Sequence, residues 1–212
     1  MQRRLLRKVT PLTHDFDDCI SLNGSSQYLE MPSMFTSLTY TMSGWFKLSS
    51  IGNYGLMGND GDSQPYIIMN ASSDEIRMRS DSNRQFSFNP FLTGQWYHVL
   101  AANNANSSRA FINGVESSTG QLLSTGAISL DLIGTVNGFN LFDGELDDIL
   151  ITDIYDNPAL MAENLYNDGD GRSPLNVIPT AQHLYSLDSN YNNSGTAGGV
   201  ATPVGSPTFV AH

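Results

Sequence analysis

Short apolar runs alternate with turn signals along most of the chain. The runs are rich in β-branched and aromatic residues, which are typical of strands. The turn signals are Asn-Gly and Asp-Gly pairs, which accept the positive φ angles of tight hairpins. These pairs lie at residues 23–24, 60–61, 113–114, 137–138 and 143–144. The spacing predicts an all-β antiparallel sandwich or barrel.

Individual strands can be placed from the parity of their apolar residues. Leu38–Leu48 alternates apolar and polar residues with a period of two, which predicts a strand with one face in the core. Trp96–Ala102 is apolar at both parities, so we expect a central strand that is covered on both faces. Arg109–Val115 contains the Asn-Gly pair at 113–114, which predicts a strand that ends in a hairpin turn. Leu146–Ile154 predicts another buried strand.

Two residues within these strands have polar or amphipathic side chains that need a separate interpretation. Trp45 has the parity opposite to the main apolar set of its strand, and we interpret it as part of a second buried layer rather than a sugar platform. His98 lies inside the central strand, where a hydrogen-bonded structural role is expected.

Cys19 is the only cysteine, which excludes an internal disulfide, and it is expected to be a buried, inert thiol.

A single short helix is predicted after the last buried strand. Asn157 can cap its N-terminus, Pro158 fits its first turn and Gly169 can follow its end. Met161 and Leu165 then share one apolar face. We expect this helix to dock on the edge of the sandwich.

The charge distribution divides the chain into a basic arm (residues 1–12) and an acidic body (residues 13–212). The net charge is −11, yet Arg3, Arg4, Arg7 and Lys8 supply four of the ten basic residues. The body therefore has six basic residues against 21 acidic ones, which disfavours nucleic-acid binding. The arm can pair with an acidic surface of a partner protein or form a solvated tail, and we predict the docking role. The sequence predicts neither a membrane span nor a signal peptide.

Five segments in order resemble the concanavalin A-like lectin/glucanase superfamily, of the laminin-G-like or pentraxin type. They are SLNGSSQYLEMPS (21–33), LTYTMSGWFKLSS (38–50), GQWYHVLAANN (94–104), RAFINGVE (109–116) and FDGELDDILI (142–151). The resemblance implies a jelly-roll β-sandwich of two antiparallel sheets with one short helix.

The C-terminal stretch departs from the usual order of that family. Residues 182–212 resemble the family's opening segment, which normally precedes the SLNGSSQYL strand. Either the domain is circularly permuted and residues 180–212 complete its own sandwich, or these strands pair with a neighbouring copy. We favour self-closure within a single domain spanning residues 13–212.

Permuted sandwiches of this kind resemble modules of phage virions. The resemblance implies a non-catalytic structural protein, of the head-decoration or fibre type, exposed on the particle surface. Its expected partners are other virion proteins, further copies of itself in the assembly, and glycans. The alternatives are a calcium-dependent carbohydrate-binding module on a cell surface or fibre tip, and a degenerate glycanase.

The candidate chemistry is sparse. Glu145 and Asp147 would share one face of a strand as glycanase carboxylates do, but the third carboxylate of that pattern is missing, so catalysis is not expected. The family resemblance implies one structural calcium ion, whose ligands would be Asp188 and Asn192 together with Asp147 or Asp148. Tyr54, Tyr66 and Tyr191 lie in loop-like contexts and are the candidate glycan-binding residues.

Overall fold

The computed structural model describes residues 18–61, 66–104, 106–123 and 126–211. Its described residues form two antiparallel β-sheets, here called sheet A and sheet B, which confirms the predicted all-β sandwich. No helix in these ranges is long and apolar enough to cross a membrane. The basic arm lies outside the described residues, so its predicted docking role stays a prediction.

Sheet A has eight strands in the order β10-β9-β8-β3-β12-β1-β15, and β13 pairs with β12 beside β1. The strands are β1 (Asp18–Asn23), β3 (Tyr40–Leu48), β8 (Trp96–Asn104), β9 (Ser107–Ile112), β10 (Val115–Glu116), β12 (Asp143–Thr152), β13 (His183–Tyr185) and β15 (Thr208–Ala211).

Sheet B has seven strands in the order β14-β2-β11-β4-β5-β6-β7. The strands are β2 (Tyr28–Ser37), β4 (Asn53–Gly58), β5 (Tyr66–Asn70), β6 (Glu75–Arg79), β7 (Asn83–Ser87), β11 (Ile128–Ile133) and β14 (Thr202–Val204). The main hydrophobic core lies between the two sheets, because the alternate residues of most strands point inward. Fully buried aromatic side chains anchor it, among them Tyr40, Phe46, Phe86, Phe142 and Tyr185.

The C-terminal strands pair with strands of the same chain. In sheet A, β13 pairs with the second half of β12 and β15 pairs with β1. In sheet B, β14 pairs with β2. Both sheets of this chain are therefore extended by residues that lie far along the sequence from their partners.

One helix, α1 (Pro158–Tyr166), covers the outer face of sheet A. Asn157 caps it, since its side chain accepts a hydrogen bond from the backbone N–H of Leu160. Met161 and Leu165 pack with Leu100 and Phe111 of the sheet in a second hydrophobic core, to which the short helix α2 (Pro174–Val177) contributes partly buried residues. The neighbours of α1 in sheet A are β8, β9 and the edge strand β10, in agreement with the predicted docking at the edge of the sandwich.

The helix explains why β3 is buried on both faces although its sequence alternates. Trp45 points to the outer face and lies between His98 and Tyr166, with ring centroids 5.2 Å and 6.0 Å away. The interpretation of Trp45 as part of a second buried layer is confirmed, since it is 5% exposed. His98 is also buried, as a structural role requires, and its Nδ1 has no hydrogen-bond partner among the described residues.

Candidate functional site

Strand β12 contains a bulge that brings acidic side chains together. The pairing register of β12 with β3 shifts between Asp147 and Leu150, and Asp148 adopts a φ of 49°. Such a bulge bends the strand and re-aims the side chains within it. Asp147 and Asp148 are both buried there, and Asp188 follows β13, the strand that pairs with the second half of β12. We call Asp147, Asp148 and Asp188 the acidic cluster.

Asp147 is the member of the acidic cluster whose ionised form is unfavourable. Its Oδ1 accepts a hydrogen bond from the backbone N–H of Asp148 at 2.8 Å, but Oδ2 has no partner among the described residues. Burial, followed by repulsion from the carboxylates of Asp148 and Asp188, raises the pKa of Asp147 to about 9. A buried carboxylate with an unsatisfied oxygen is costly unless a proton or a cation neutralises it.

The structure brings three of the four predicted calcium ligands into electrostatic contact. The fourth, Asn192, is exposed and its backbone N–H bonds to Asn190, with no contact shown to the acidic cluster. Among the residues that the structure describes, no three His, Cys, Asp or Glu side chains already stand as a metal site. The donor chemistry fits a hard cation such as calcium, which prefers carboxylate oxygens, but the ligands are not pre-assembled.

The carboxylate pair considered for glycanase chemistry is not arranged for it. Glu145 lies opposite Lys47 in the β12–β3 register and forms an ion pair with its ammonium group. Cys19 lies next to Glu145, and its buried thiol has a pKa raised to about 12, mainly by burial. The expected burial of the thiol is confirmed, and its inertness stays a prediction. Asp147 lies opposite Trp45 in the β12–β3 register and is fully buried, so a substrate cannot reach both carboxylates.

The three tyrosines predicted to bind glycans have different surroundings. Tyr54 lies in β4 and not in a loop; its ring packs edge-on against Phe142 and its hydroxyl bonds to Ser50, so the surface interpretation is wrong for this residue. Tyr191 is half-buried against Phe209, with ring centroids 4.9 Å apart. Tyr66 is half-buried at the start of β5, near Asn83. These rings do not form a shared surface.

The structure instead places a groove between the two sheets where β7 and the β9–β10 hairpin meet. The groove has a volume of about 420 Å³. We call it the aromatic groove and define it by its lining residues: Ser87, Phe88, Asn89, Pro90, Phe91, Tyr97, Ile112, Asn113, Val115, Glu116 and Ser118. Its volume falls within the range of small-molecule sites in proteins.

The apolar part of the aromatic groove is a packed cluster of rings. Phe91 contacts Tyr97 edge-to-face with centroids 5.3 Å apart, and Phe88 lies 6.5 Å from Phe91. Phe91 and Tyr97 are buried, and Phe88 is half-buried. The Tyr97 hydroxyl accepts a hydrogen bond from the backbone N–H of Leu92, which ties the β7–β8 loop to the cluster. The ring surface is therefore held in place before any ligand arrives.

The polar part of the groove comes from the hairpin. Asn113 occupies the first turn position with a φ of 51°, and its Oδ1 accepts the backbone N–H of His98 at 2.8 Å. This bond directs the amide and leaves Nδ2 as the donor that the residue can offer a ligand. Glu116 is held by two hydrogen bonds from Arg109, both 2.6 Å long. These bonds lower the pKa of Glu116, so its carboxylate stays ionised.

Sequence reasoning identified the hairpin but missed the groove. The Asn113-Gly114 turn was predicted from its residue types. The segment FSFNPF (86–91) could have indicated the groove. Its three phenylalanines flank an Asn-Pro pair, which is typical of a turn and not of a buried strand, so their rings are expected to cluster at a loop. This segment and the Asn113-Gly114 hairpin, which form the two sides of the groove, are more than twenty residues apart in the sequence. No periodic pattern indicates that they meet.

Comparison with known proteins assigns the fold to a superfamily. A family model described as the concanavalin A-like lectin/glucanases superfamily matches residues 23–159. A search of curated proteins found no match.

Three solved structures illustrate the similarity. A candidate carbohydrate-binding protein from Bacteroides ovatus is 15% identical, with a TM-score of 0.67 over 92% of this chain and 60% of that one. The heptameric SAP-like pentraxin of Limulus polyphemus is 19% identical, with a TM-score of 0.58 over 71% and 82%. Domain 4 of the Geobacillus stearothermophilus arabinanase AbnA, solved with arabinotriose, is 21% identical, with a TM-score of 0.51 over 66% and 72%. This chain thus spans less than two thirds of the Bacteroides protein, and at these identities the likeness shows the fold alone.

Proposed function

We propose that this chain, which belongs to the concanavalin A-like lectin/glucanase superfamily, is a non-catalytic module that binds glycans in the aromatic groove. The observation that carries the proposal is the meeting of a fixed ring cluster with an amide and a carboxylate in one groove of about 420 Å³. Sugars present an apolar C–H face and a rim of hydroxyls, so they need this combination of surfaces. The carbohydrate-binding neighbours of the same fold support the proposal.

A second groove on the molecule fits a glycan less well. It has a volume of about 270 Å³ and lies between α1 and the segment that follows α2. Its lining residues include Leu160, Met161 and Val177 but no aromatic ring. A sugar would find no flat face to stack on there, so the aromatic groove is the better candidate.

The non-catalytic part of the proposal is supported by the surroundings of the carboxylates. Glu116 accepts hydrogen bonds from Nε and Nη2 of Arg109, and Glu145 is paired with Lys47. Hydrolysis of a glycosidic bond needs one carboxylic acid and one carboxylate facing each other across the substrate. Neither residue has such a partner among the described residues that line the aromatic groove.

A calcium ion at the acidic cluster is the cofactor that we propose. The unsatisfied Oδ2 of buried Asp147 supports it, because a divalent cation would offset the repulsion within the cluster. Asp147, Asp148 and Asp188 would hold the ion. Its chemistry would be structural, since it would join the bulge of β12 to the segment after β13.

The glycan-binding proposal predicts which aromatic side chain matters. A glycan array followed by calorimetry on the best ligand should show that Phe88→Ala weakens binding about tenfold, since a stacked ring contributes on the order of 1 kcal/mol beyond its area. Asn113→Asp should also weaken binding, because it removes the Nδ2 donor while keeping the Oδ1 that bonds to His98.

Phe139→Ala is the matched control for that experiment. Phe139 is 68% exposed beside the Asn137-Gly138 turn that precedes β12, outside the aromatic groove. Its removal should leave glycan affinity unchanged. Equal losses for Phe139→Ala and Phe88→Ala, or a loss for Phe139→Ala alone, would place the glycan elsewhere.

The virion role predicted from the sequence remains a proposal, with the basic arm as its docking element. Since β13, β14 and β15 pair within the chain, we expect the full chain and a variant lacking residues 1–12 to be monomers by size-exclusion chromatography with light scattering. An oligomer that dissociates without the arm would make the arm an assembly device. An oligomer that persists without it would indicate strand donation by residues 180–212.

A further inference from the structure

The charges of the aromatic groove restrict its ligand. The lining residues that the structure describes include no Lys, Arg or His, and Glu116 is their only ionisable carboxylate. Binding an anion in a groove requires a cation or several converging N–H donors to offset its desolvation. Here an anionic ligand would instead face a carboxylate.

The nearby Arg109 does not change this balance. Its guanidinium donates from Nε and Nη2 to the two carboxylate oxygens of Glu116, at 2.6 Å each. The same guanidinium lies 5.0 Å from the ring centroid of Phe111, so packing also holds it in position. A bidentate pair of this kind neutralises the cation and leaves the oxygens' remaining lone pairs as acceptors for hydroxyl groups.

The remaining polar groups match hydroxyls. Asn113 offers an amide N–H, and Glu116 and the hydroxyl oxygen of Ser118, whose proton is donated to the Ser87 carbonyl, offer acceptors. The half-buried ring of Phe88, packed on the buried ring of Phe91, supplies an apolar surface. Each hydroxyl of a neutral sugar can donate to the carboxylate and accept from the amide. A carboxylate or sulfate group can only accept, so it cannot use Glu116.

From these contacts we propose that the aromatic groove selects neutral glycans and rejects acidic ones such as sialylated, uronate-containing or sulfated sugars. This inference rests on the proposed glycan-binding function of the same groove. The charge of the whole body acts in the same direction, since six basic residues face 21 acidic ones after the arm.

The test uses an array of matched glycan pairs that differ by one acidic residue or group, such as lactose and sialyllactose. We expect binding only to neutral members, and an affinity for them that changes less than twofold between 50 and 500 mM salt, because screening affects charge pairs and not neutral contacts. Preferential binding of the acidic members would overturn the inference and leave the glycan-binding function standing. Binding to no glycan would overturn the glycan-binding function itself.

Glu116→Gln tests the assigned cause of the selectivity. The substitution keeps the shape of the side chain but frees the positive charge of Arg109 at the groove. We expect the neutral-to-acidic affinity ratio to fall at least tenfold in this variant. The double variant Glu116→Gln/Arg109→Gln, which has neither charge, should show an intermediate ratio and weak salt dependence. An unchanged ratio in Glu116→Gln would show that Glu116 does not determine the selectivity.

Discussion

Asp147→Asn is expected to make the calcium-free protein more stable at alkaline pH and to abolish stabilisation by calcium. The folded state raises the pKa of Asp147 from 3.8 to about 9 through burial and the repulsion of Asp148 and Asp188. A group whose folded pKa is raised contributes stability below its unfolded pKa and loses it as pH rises toward the folded value. The loss amounts to about 1.4 kcal/mol per pH unit.

The measurement is thermal unfolding of chelator-treated protein between pH 6.5 and 8.5. The free energy of unfolding of the wild type should fall by about 3 kcal/mol over these two pH units, which lowers the unfolding temperature by roughly 8 °C for a chain of this size. Asp147→Asn should not show this fall. Calcium at 100 times its dissociation constant should restore about 2.7 kcal/mol to the wild type alone.

Glu145→Gln is the matched control, because it neutralises another carboxylate of β12 that is paired with Lys47 outside the acidic cluster. That variant should keep the response to calcium. A wild type that ignores calcium, combined with an Asp147→Asn variant that is less stable at every pH, would contradict the cation site. Asp147 would then serve only as the acceptor for the backbone of Asp148.

His98→Phe is expected to reduce the acid sensitivity of the fold. Burial lowers the pKa of His98 from 6.5 to about 3, so the unfolded chain binds a proton that the folded chain rejects. Stability is fully present above pH 6.5 and is lost as pH falls toward 3. Between pH 6.5 and 4 the wild type should lose on the order of 3 kcal/mol at this residue, as measured by urea unfolding.

At pH 7 the His98→Phe variant should be at least as stable as the wild type. The Nδ1 of His98 is buried without a hydrogen-bond partner among the described residues, and such an atom costs about 1–3 kcal/mol. Phenylalanine fills a similar volume between Trp45 and the strand. A variant that is clearly destabilised at pH 7 and keeps the full acid loss would assign the acid sensitivity to other groups.

His183→Phe provides the comparison. His183 is also buried with a lowered pKa, but its Nδ1 bonds to Asn193 at 3.0 Å. Its replacement should therefore cost stability at pH 7 by leaving the buried amide of Asn193 with one bond fewer. The two substitutions are expected to differ in sign at neutral pH, which separates the unsatisfied histidine from the satisfied one.

Local patterns predicted the elements that depend on neighbouring residues. The hairpin at Asn113-Gly114 followed from residue types that tolerate positive φ, and the structure has φ of 51° and 74° there. The central strand was predicted from apolar residues at both parities, and β8 is buried on both faces from Tyr97 to Asn103. Asn157 and Pro158 predicted the start of α1 because capping involves only the next few residues.

The sites depend on residues that are distant in sequence. The acidic residues of β12 were identified by family resemblance, but the bulge that buries Asp147 and the consequent rise in its pKa arise from pairing with β3. Tyr54 was predicted to lie in a loop-like context, whereas it lies in β4 and packs against Phe142 across the core, which buries it. Burial is set by what packs against a residue, and a single sequence does not contain that information.

The sequence by itself determined the all-β class, the hairpin turns, the helix cap and the acidic charge of the body, because each depends on short-range geometry or on composition. Only the tertiary structure decided that Tyr166 of α1 lies against Trp45, which in turn lies against His98, and that residues 87–91 meet residues 112–118 to form the aromatic groove. The physical reason is that sheet order joins segments far apart in the chain. Both the interior of a sandwich and the clefts at its edges are made by those long-range contacts.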